Sequence, residues 1–168
     1  MSETRGQQMA RPEVAELEQE LMLVGRHSAL RSPYGAVPGP DAHLERSAYI
    51  LLSRIEIEGP MSIGQLADAF GLDTSTVNRQ TAAMLRTGVA ERISDPAGGM
   101  ARKLRITPEG ERRMRAYRAW VVTGLDDLLA DWPQRDIAAF SGFLARFNEA
   151  IEAKEGRPWP REHGPVAG

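Results

Sequence analysis

Apolar residues recur along this chain at helical spacing near both ends and in short interrupted bursts between. From Pro12 to about Leu30 the series Val14, Leu17, Leu21, Val24 and Ser28 steps 3-4-3-4, which predicts a helix with one narrow seam. The run "SPYGAVPGP" breaks it. A second helix is expected from about Asp41 to Glu58, with Leu44, Ala48, Leu51, Leu52 and Ile55 on one side and "EGP" as its stop. Further on, "TPEG" opens a third long helix: Thr107 caps it, Pro108 presets its first turn and Glu109 suits its dipole. This helix runs through Met114, Tyr117, Val121 and Leu128 to Trp132, where Pro133 interrupts. The last helix covers roughly Gln134 to Lys154, with Ile137, Phe140, Leu144, Phe147 and Ile151 as its seam.

The central pattern is finer. Ser62 and Gln65 in "SIGQLADAF" stand in capping-box relation and start a short helix that ends at Phe70. Gly71 turns the chain, Asp73 is placed to cap the next helix, and that helix ends before Gly88. Two short helices around a glycine turn make a helix-turn-helix. "VAERIS", the turn "DPAGG" and "ARKLRIT" then read as a β-hairpin. The order predicts a mainly α protein with a small β-hairpin wing, a winged helix-turn-helix. Its flanking helices carry apolar seams that a compact central module does not use, so both termini are expected to build a homodimer interface. The expected organisation is a mobile 1–11, an N-terminal dimerisation helix and loop at 12–40, the winged helix-turn-helix at 41–110, C-terminal dimerisation helices at 111–155 and a mobile tail at 156–168.

Composition narrows the chemistry. No cysteine occurs among the 168 residues, which excludes disulfides and thiol sensing, and His27, His43 and His163 show no metal-ligand spacing. No metal and no cofactor is expected. No apolar run is long enough for a membrane span and the N-terminus has no signal-peptide core, so a cytoplasmic protein is predicted. No nucleophile with a base, glycine-rich phosphate loop or paired carboxylates emerges, which argues against an enzyme. The net charge of −2 hides an asymmetry. Leu72 to Arg118 holds ten basic and five acidic residues, whereas the remainder holds 11 and 18. A positive working surface on an acidic body is the reading this suggests.

The helix after Gly71 opens with Thr74, Ser75, Thr76, Asn78, Arg79 and Gln80, more hydrogen-bonding side chains than solubility requires. In a winged helix-turn-helix this helix can enter the major groove of double-stranded DNA, its first turns toward bases and phosphates. The run from Gly59 to Gly110, with its strings "LA-x-x-x-x-LD-x-STV-x-R", "G-x-x-ER-x-x-DP" and "LRITPEG", resembles the MarR (multiple antibiotic resistance regulator) family of bacterial transcription factors. The resemblance extends from about Pro12 to Ala153. It implies a homodimer that binds a pseudo-palindromic operator and represses nearby genes until a small-molecule effector releases it. It implies that Ser75, Thr76, Asn78 and Arg79 face the major groove, with Thr74, Gln80 and Thr81 beside them, and that Ser62 and Gln65 touch the DNA backbone. The wing, with Met100, Arg102, Lys103 and Arg105, would follow the minor groove.

The wing departs from the family pattern. Where the family carries Asp-x-Arg near the tip, this chain has Gly98, Gly99 and Met100. That leaves no acidic partner and no tip arginine, and predicts either substitution by Arg102, Lys103 or Arg105 or a looser wing. Arg112, Arg113, Arg115 and Arg118 are expected to form a solvated helix face. Met114, Tyr117, Trp120, Trp132 and Phe140 are expected in core or dimer interface, with an effector cavity as a second use. A winged-helix protein-interaction module without DNA binding is the alternative reading, because fold does not fix function.

Overall fold

The computed structural model describes residues 11–27 and 44–161. Along the chain the elements are α1 (Pro12–Arg26), α2 (Arg46–Glu58), β1 (Met61–Ser62), α3 (Ile63–Phe70), α4 (Thr74–Arg86), β2 (Ala90–Ile93), β3 (Lys103–Ile106), α5 (Pro108–Leu128) and α6 (Gln134–Glu155). The chain divides into two compact units, one holding α1 and the other everything from α2 onward. α1 ends at Arg26, where His27 is extended, short of the expected Leu30. α2 starts at Arg46 behind an extended Glu45, later than the expected Asp41, so Leu44 packs on the core from before the helix. His43 and His163 lie outside the described residues.

In the larger unit one core joins α2, the short helices and the sheet. Leu51, Leu52 and Ile55 of α2, Leu66 of α3, Val77 and Met84 of α4, Leu104 of β3 and Met114 of α5 are all at most 3 % exposed. Burying a side chain of this size contributes about 1.5–3 kcal/mol, so this cluster fixes how the short helices lie. Tyr117 completes the core and stacks at a tilt on Tyr49 and Trp120, with ring centroids 4.7 and 5.7 Å away.

The wing is a three-stranded antiparallel sheet in the order β1-β3-β2, one strand more than the expected hairpin. The extra strand is the dipeptide before α3: Met61 pairs with Leu104 and Ser62 with Lys103. Two residues carry too little alternation to be read as a strand, and only the register on β3 defines it. On the other side Arg92 pairs with Leu104 and Glu91 with Arg105.

Two long-helix boundaries moved or gained detail. α5 stops at Leu128 and not at Trp132: Leu129 departs from helical geometry (φ −100°, ψ 13°), and the chain turns there, the Trp132 amide donating to the Leu129 carbonyl at 2.8 Å before Pro133. Pro133 then starts α6, its carbonyl accepting from the Asp136 and Ile137 amides at 2.9 and 3.2 Å. Thr107 caps α5 as expected, accepting from the Gly110 amide at 3.0 Å, and its hydroxyl also donates to the Gly88 carbonyl at 2.6 Å. This ties the end of the α4 segment to the root of α5.

α6 buries none of its residues, and Phe140, Phe143, Leu144, Phe147 and Ile151 remain at least 38 % exposed. α1, taken by itself, likewise has no buried residue, and Val14, Leu17, Leu21 and Val24 are exposed along its seam. The tail expected to be mobile from 156 is placed through residue 161: it turns back at Gly156 and lies on α2 and α3. No helix among the described residues is long and apolar enough to cross a membrane.

A β-carbon at Gly110 would run into the Val89 carbonyl and the Ile106 side chain. Gly110→Ala is therefore expected to lower unfolding free energy by about 1–3 kcal/mol, the usual range for overpacking, seen as a lower urea midpoint at unchanged slope. An unchanged midpoint would show that the α5 root has room to shift.

Candidate nucleic-acid interface

The geometry of the site begins with the cap of α3. Ser62 Oγ accepts from the Gln65 amide at 3.1 Å, and Gln65 Oε1 accepts from the Ser62 amide at 2.9 Å, the reciprocal pair expected. α3 ends at Gly71, which is left-handed (φ +60°, ψ +36°), a conformation glycine adopts at least cost. The expected side-chain cap on α4 is not formed. Asp73 occupies the cap position, but only its carbonyl is used, accepting from the Thr76 and Val77 amides at 2.9 and 3.2 Å.

The inner row of α4 is Val77, Thr81 and Met84, at i, i+4 and i+7, each at most 1 % exposed. The row opposite is Ser75, Arg79, Ala82 and Arg86, with Arg79 and Arg86 exposed. Thr74 and Asn78 are exposed too, while Thr76 is half-buried. Two expected members of the outer face depart from it. Thr81 is 0 % exposed, its hydroxyl donating back to the Val77 and Asn78 carbonyls at 2.8 and 3.1 Å, which satisfies a polar group inside the core. Gln80 turns to the other shoulder, where it lines a cleft of about 200 Å³ with Ala48, Met84 and Arg113.

Asn78 faces the wing. Together with Ser62, Gly64, Arg92, Arg102 and Leu104 it lines an open cleft of about 470 Å³ between the α3 cap, α4 and the sheet. Arg92 is a residue that sequence reasoning counted as charge without assigning it a place. Its signal was slight: a basic side chain pairing across the ladder with buried Leu104, at the rim of the sheet.

Charge pairing sorts the basic residues. Lys103 Nζ is 2.9 Å from Asp95, Arg105 bonds Glu91 at 2.7 and 3.0 Å, and Arg112 and Arg113 share Glu109. Arg115 lies 3.7 Å from Glu111, and Arg118 binds Glu56 at 3.0 Å and the Tyr49 hydroxyl at 3.2 Å. The α5 arginines, expected as a solvated helix face, are each also paired with a carboxylate, and Arg113 is half-buried. Among the described residues Arg79, Arg86, Arg92 and Arg102 have no carboxylate partner, and Arg102 reaches only the Arg92 carbonyl at 3.5 Å. Between Leu72 and Arg118 the unneutralised positive charge therefore lies along the outer row of α4 and the adjoining edge of the wing.

Known proteins share this fold. The MarR family model matches residues 44–99. YxaD, an uncharacterized HTH-type transcriptional regulator of Bacillus subtilis, is 33 % identical over 109 residues, spanning 65 % of this chain and 76 % of that one. The chain belongs to the MarR family of transcriptional regulators. Among solved structures, a MarR family protein from Bacillus stearothermophilus superposes with a TM-score of 0.64 at 22 % identity, covering 83 % of this chain and 95 % of that one. A mutant of E. coli MarR complexed with operator DNA gives 0.60 at 14 % identity, covering 80 % and 95 %. At those identities the likeness is one of fold.

Against the MarR pattern, the wing of this chain is stiffened differently from what its glycines suggest. Asp95 supplies the acidic partner that Gly98, Gly99 and Met100 lack: it accepts from the Ala97 amide at 2.9 Å and pairs with Lys103, both side chains largely shielded. Gly99 is needed for this closure, since any β-carbon there would strike the Asp95 carboxylate. The Ala97 amide, then the Lys103 ammonium, hold the Asp95 carboxyl below its ordinary value. Lys103 is thus committed to the wing's own structure, as Arg105 is to Glu91, while Met100 projects fully exposed at the tip.

At the root of α5 the Glu109 carboxyl is lowered to about 2, first by Arg112 and then by Arg113. Because the folded value is depressed, the stabilisation is complete above the unfolded glutamate range near ~4.3 and is lost as pH falls through the folded value. A carboxyl-detected NMR titration should give Glu109 a midpoint near 2, and Arg112→Ala should raise it. A midpoint in the ordinary glutamate range for the parent chain would mean that the pairing does not persist in solution. Asp95→Asn is expected to speed amide exchange at Ala97 without changing exchange in α4, and equal protection in both would remove Asp95 as the wing's clasp.

Proposed function

We propose that this chain is a homodimeric, sequence-specific regulator that binds a pseudo-palindromic duplex through α4 and the wing, repressing nearby genes until a small molecule releases it. The observation that carries the reading is the sorting of charge: of the basic residues between Leu72 and Arg118, those left without a carboxylate are the arginines on the outer row of α4 and the adjoining wing edge. Unpaired guanidinium groups suit bidentate contacts to guanine and to phosphate, and the same groups locked in ion pairs would not.

In this reading Arg79, at the centre of the outer row, reads a base edge with Ser75, Asn78 and Thr74 around it. Ser62 and Gln65 hold the α3 amides toward the DNA backbone, Thr76 and Gln80 flank the groove, and Arg92 and Arg102 follow the sugar-phosphate edge. Met100 at the wing tip meets the minor groove as an apolar side chain in place of the usual arginine. The fold shared with E. coli MarR, solved with operator DNA, supports the docking mode. The exposed seams of α1 and α6, together with Val122, Leu125 and Leu128 on α5, support dimerisation, since a monomer rarely leaves such stripes in water. Repression and release by an effector are what the family resemblance implies for such a dimer.

Selection from a random duplex pool tests the reading. The expected result is an inverted repeat with half-site centres about one helical turn, roughly 34–36 Å, apart. No enrichment would turn the assignment to the protein-interaction alternative. On the selected duplex Arg79→Ala should cost about 1–3 kcal/mol and relax preference at one position per half-site, whereas Arg102→Ala should weaken all sequences alike and reduce the salt slope by about 1. A uniform loss for Arg79→Ala would move that side chain to the phosphates.

A further inference from the structure

The segment after α6 takes no part in the interface above. Gly156 is left-handed (φ +69°) and reverses the chain, and residues 157–161 return across the helix-turn-helix. Their grip is on α2 and the end of α3. Arg54 of α2 is only 9 % exposed. Its Nη1 donates to the Pro158 carbonyl at 3.1 Å, its Cζ sits 5.4 Å from the centre of the Trp159 indole, and its Nη2 holds Glu58 at 2.7 Å. The indole also meets the Phe70 ring nearly edge-on, with centroids 5.9 Å apart at 61°. The Arg157 guanidinium covers Gly71, the turn before α4, where a β-carbon would collide with it.

The same segment is fixed to α6. Glu152 accepts from the Trp159 amide at 3.1 Å and from both terminal nitrogens of Arg161 at 2.8 and 2.6 Å, and its carbonyl accepts from the Arg157 amide at 3.1 Å. One carboxylate thus joins the segment to α6, while a cation and an aromatic ring join it to the helix-turn-helix. Pro158 and Pro160 bracket Trp159 and restrict the free chain, which lowers the entropy lost on docking.

We propose that residues 157–161 are a positioning strap, which by tying the end of α6 to Arg54 and Phe70 sets the angle of the dimerisation helix and so the spacing of the two recognition helices. It rests on the dimeric DNA-binding reading above. The leverage is large. At 1.5 Å per residue the 22 residues of α6 span about 33 Å. A tilt of about 6° then moves the far end by roughly 3.4 Å, one base-pair step. Within one protomer α6 buries nothing along its own length, so the strap at its end is a fixed point that ties its tilt to the helix-turn-helix of the same chain.

The test compares the full chain with Trp159→Ala and with Trp159→Phe, which keeps a ring. The duplexes are the selected one, the same with one base pair added to or removed from the spacer, and a single half-site. Trp159→Ala is expected to bind the half-site like the parent, to bind the selected duplex about tenfold more weakly, and to lose the parent's preference over altered spacers, because the second half-site is engaged intramolecularly. Trp159→Phe should recover most of that preference. Parental spacing preference in Trp159→Ala overturns the proposal, and so does an equal loss on half-site and full site, which marks simple destabilisation. Hydrogen exchange separates the strap from the DNA reading: the Arg157 and Trp159 amides should exchange slowly in the parent and fast in Arg54→Gln. Fast exchange in the parent overturns the strap with the DNA reading intact. Slow exchange in a parent that enriches no duplex overturns the DNA reading, and the spacing role with it.

Discussion

The inner row of α4 is the constraint on which the rest depends. Val77, Thr81 and Met84 are drawn into the core formed by Leu51, Leu52, Leu66, Leu104 and Met114, and this burial dictates which side of the helix faces outward. A helix of 13 residues is marginal alone, so its orientation belongs to the packing and not to its own propensity. Rotating it by one residue position, about 100°, would bury Asn78 and expose Val77, at a cost no outer contact could offset. The chemistry available on the outer row is therefore a consequence of apolar burial on the inner one.

Charge adds a second layer of selection. Of the basic residues between Leu72 and Arg118, those on β3 and α5 are consumed by Asp95, Glu91, Glu109, Glu111 and Glu56: the Asp95, Glu91 and Glu56 pairs join different elements, and the Glu109 and Glu111 pairs lie along α5 itself. Surface pairs of this kind contribute little to stability individually, about 0–1 kcal/mol, but they decide where positive potential remains. It remains beside the cleft lined by Asn78, Arg92 and Arg102. The wing illustrates the same economy. A turn with two glycines is closed by one aspartate, and the lysine that closes it is withdrawn from any partner outside the chain.

The order of helices, the capping box of Ser62 and Gln65, the left-handed turn at Gly71 and the Thr107 cap were all legible in the sequence, because each depends on residues within four positions of one another. The exposed seams of α1 and α6 were legible for the same reason. Thr81 was placed beside the outer face by the family resemblance, whereas its hydroxyl satisfies itself on the preceding turn and the residue is buried like a valine. Asp73 had the right position and the wrong role, since its carbonyl, not its carboxylate, holds the first turn.

The sequence by itself determined what periodicity, caps and turn chemistry determine: a winged helix-turn-helix between two amphipathic ends, with a polar first turn on its second short helix. Only the tertiary structure decided what depends on partners far apart in the chain. The register that pairs Met61 with Leu104 created a third strand from two residues, and Asp95 found Lys103 across the hairpin. The Pro- and Gly-rich end, whose composition reads as loose, came to rest on Arg54 more than a hundred residues earlier. A cation, an indole and a carbonyl carry no periodicity that announces such a meeting; they recognise one another only after the core has brought them together.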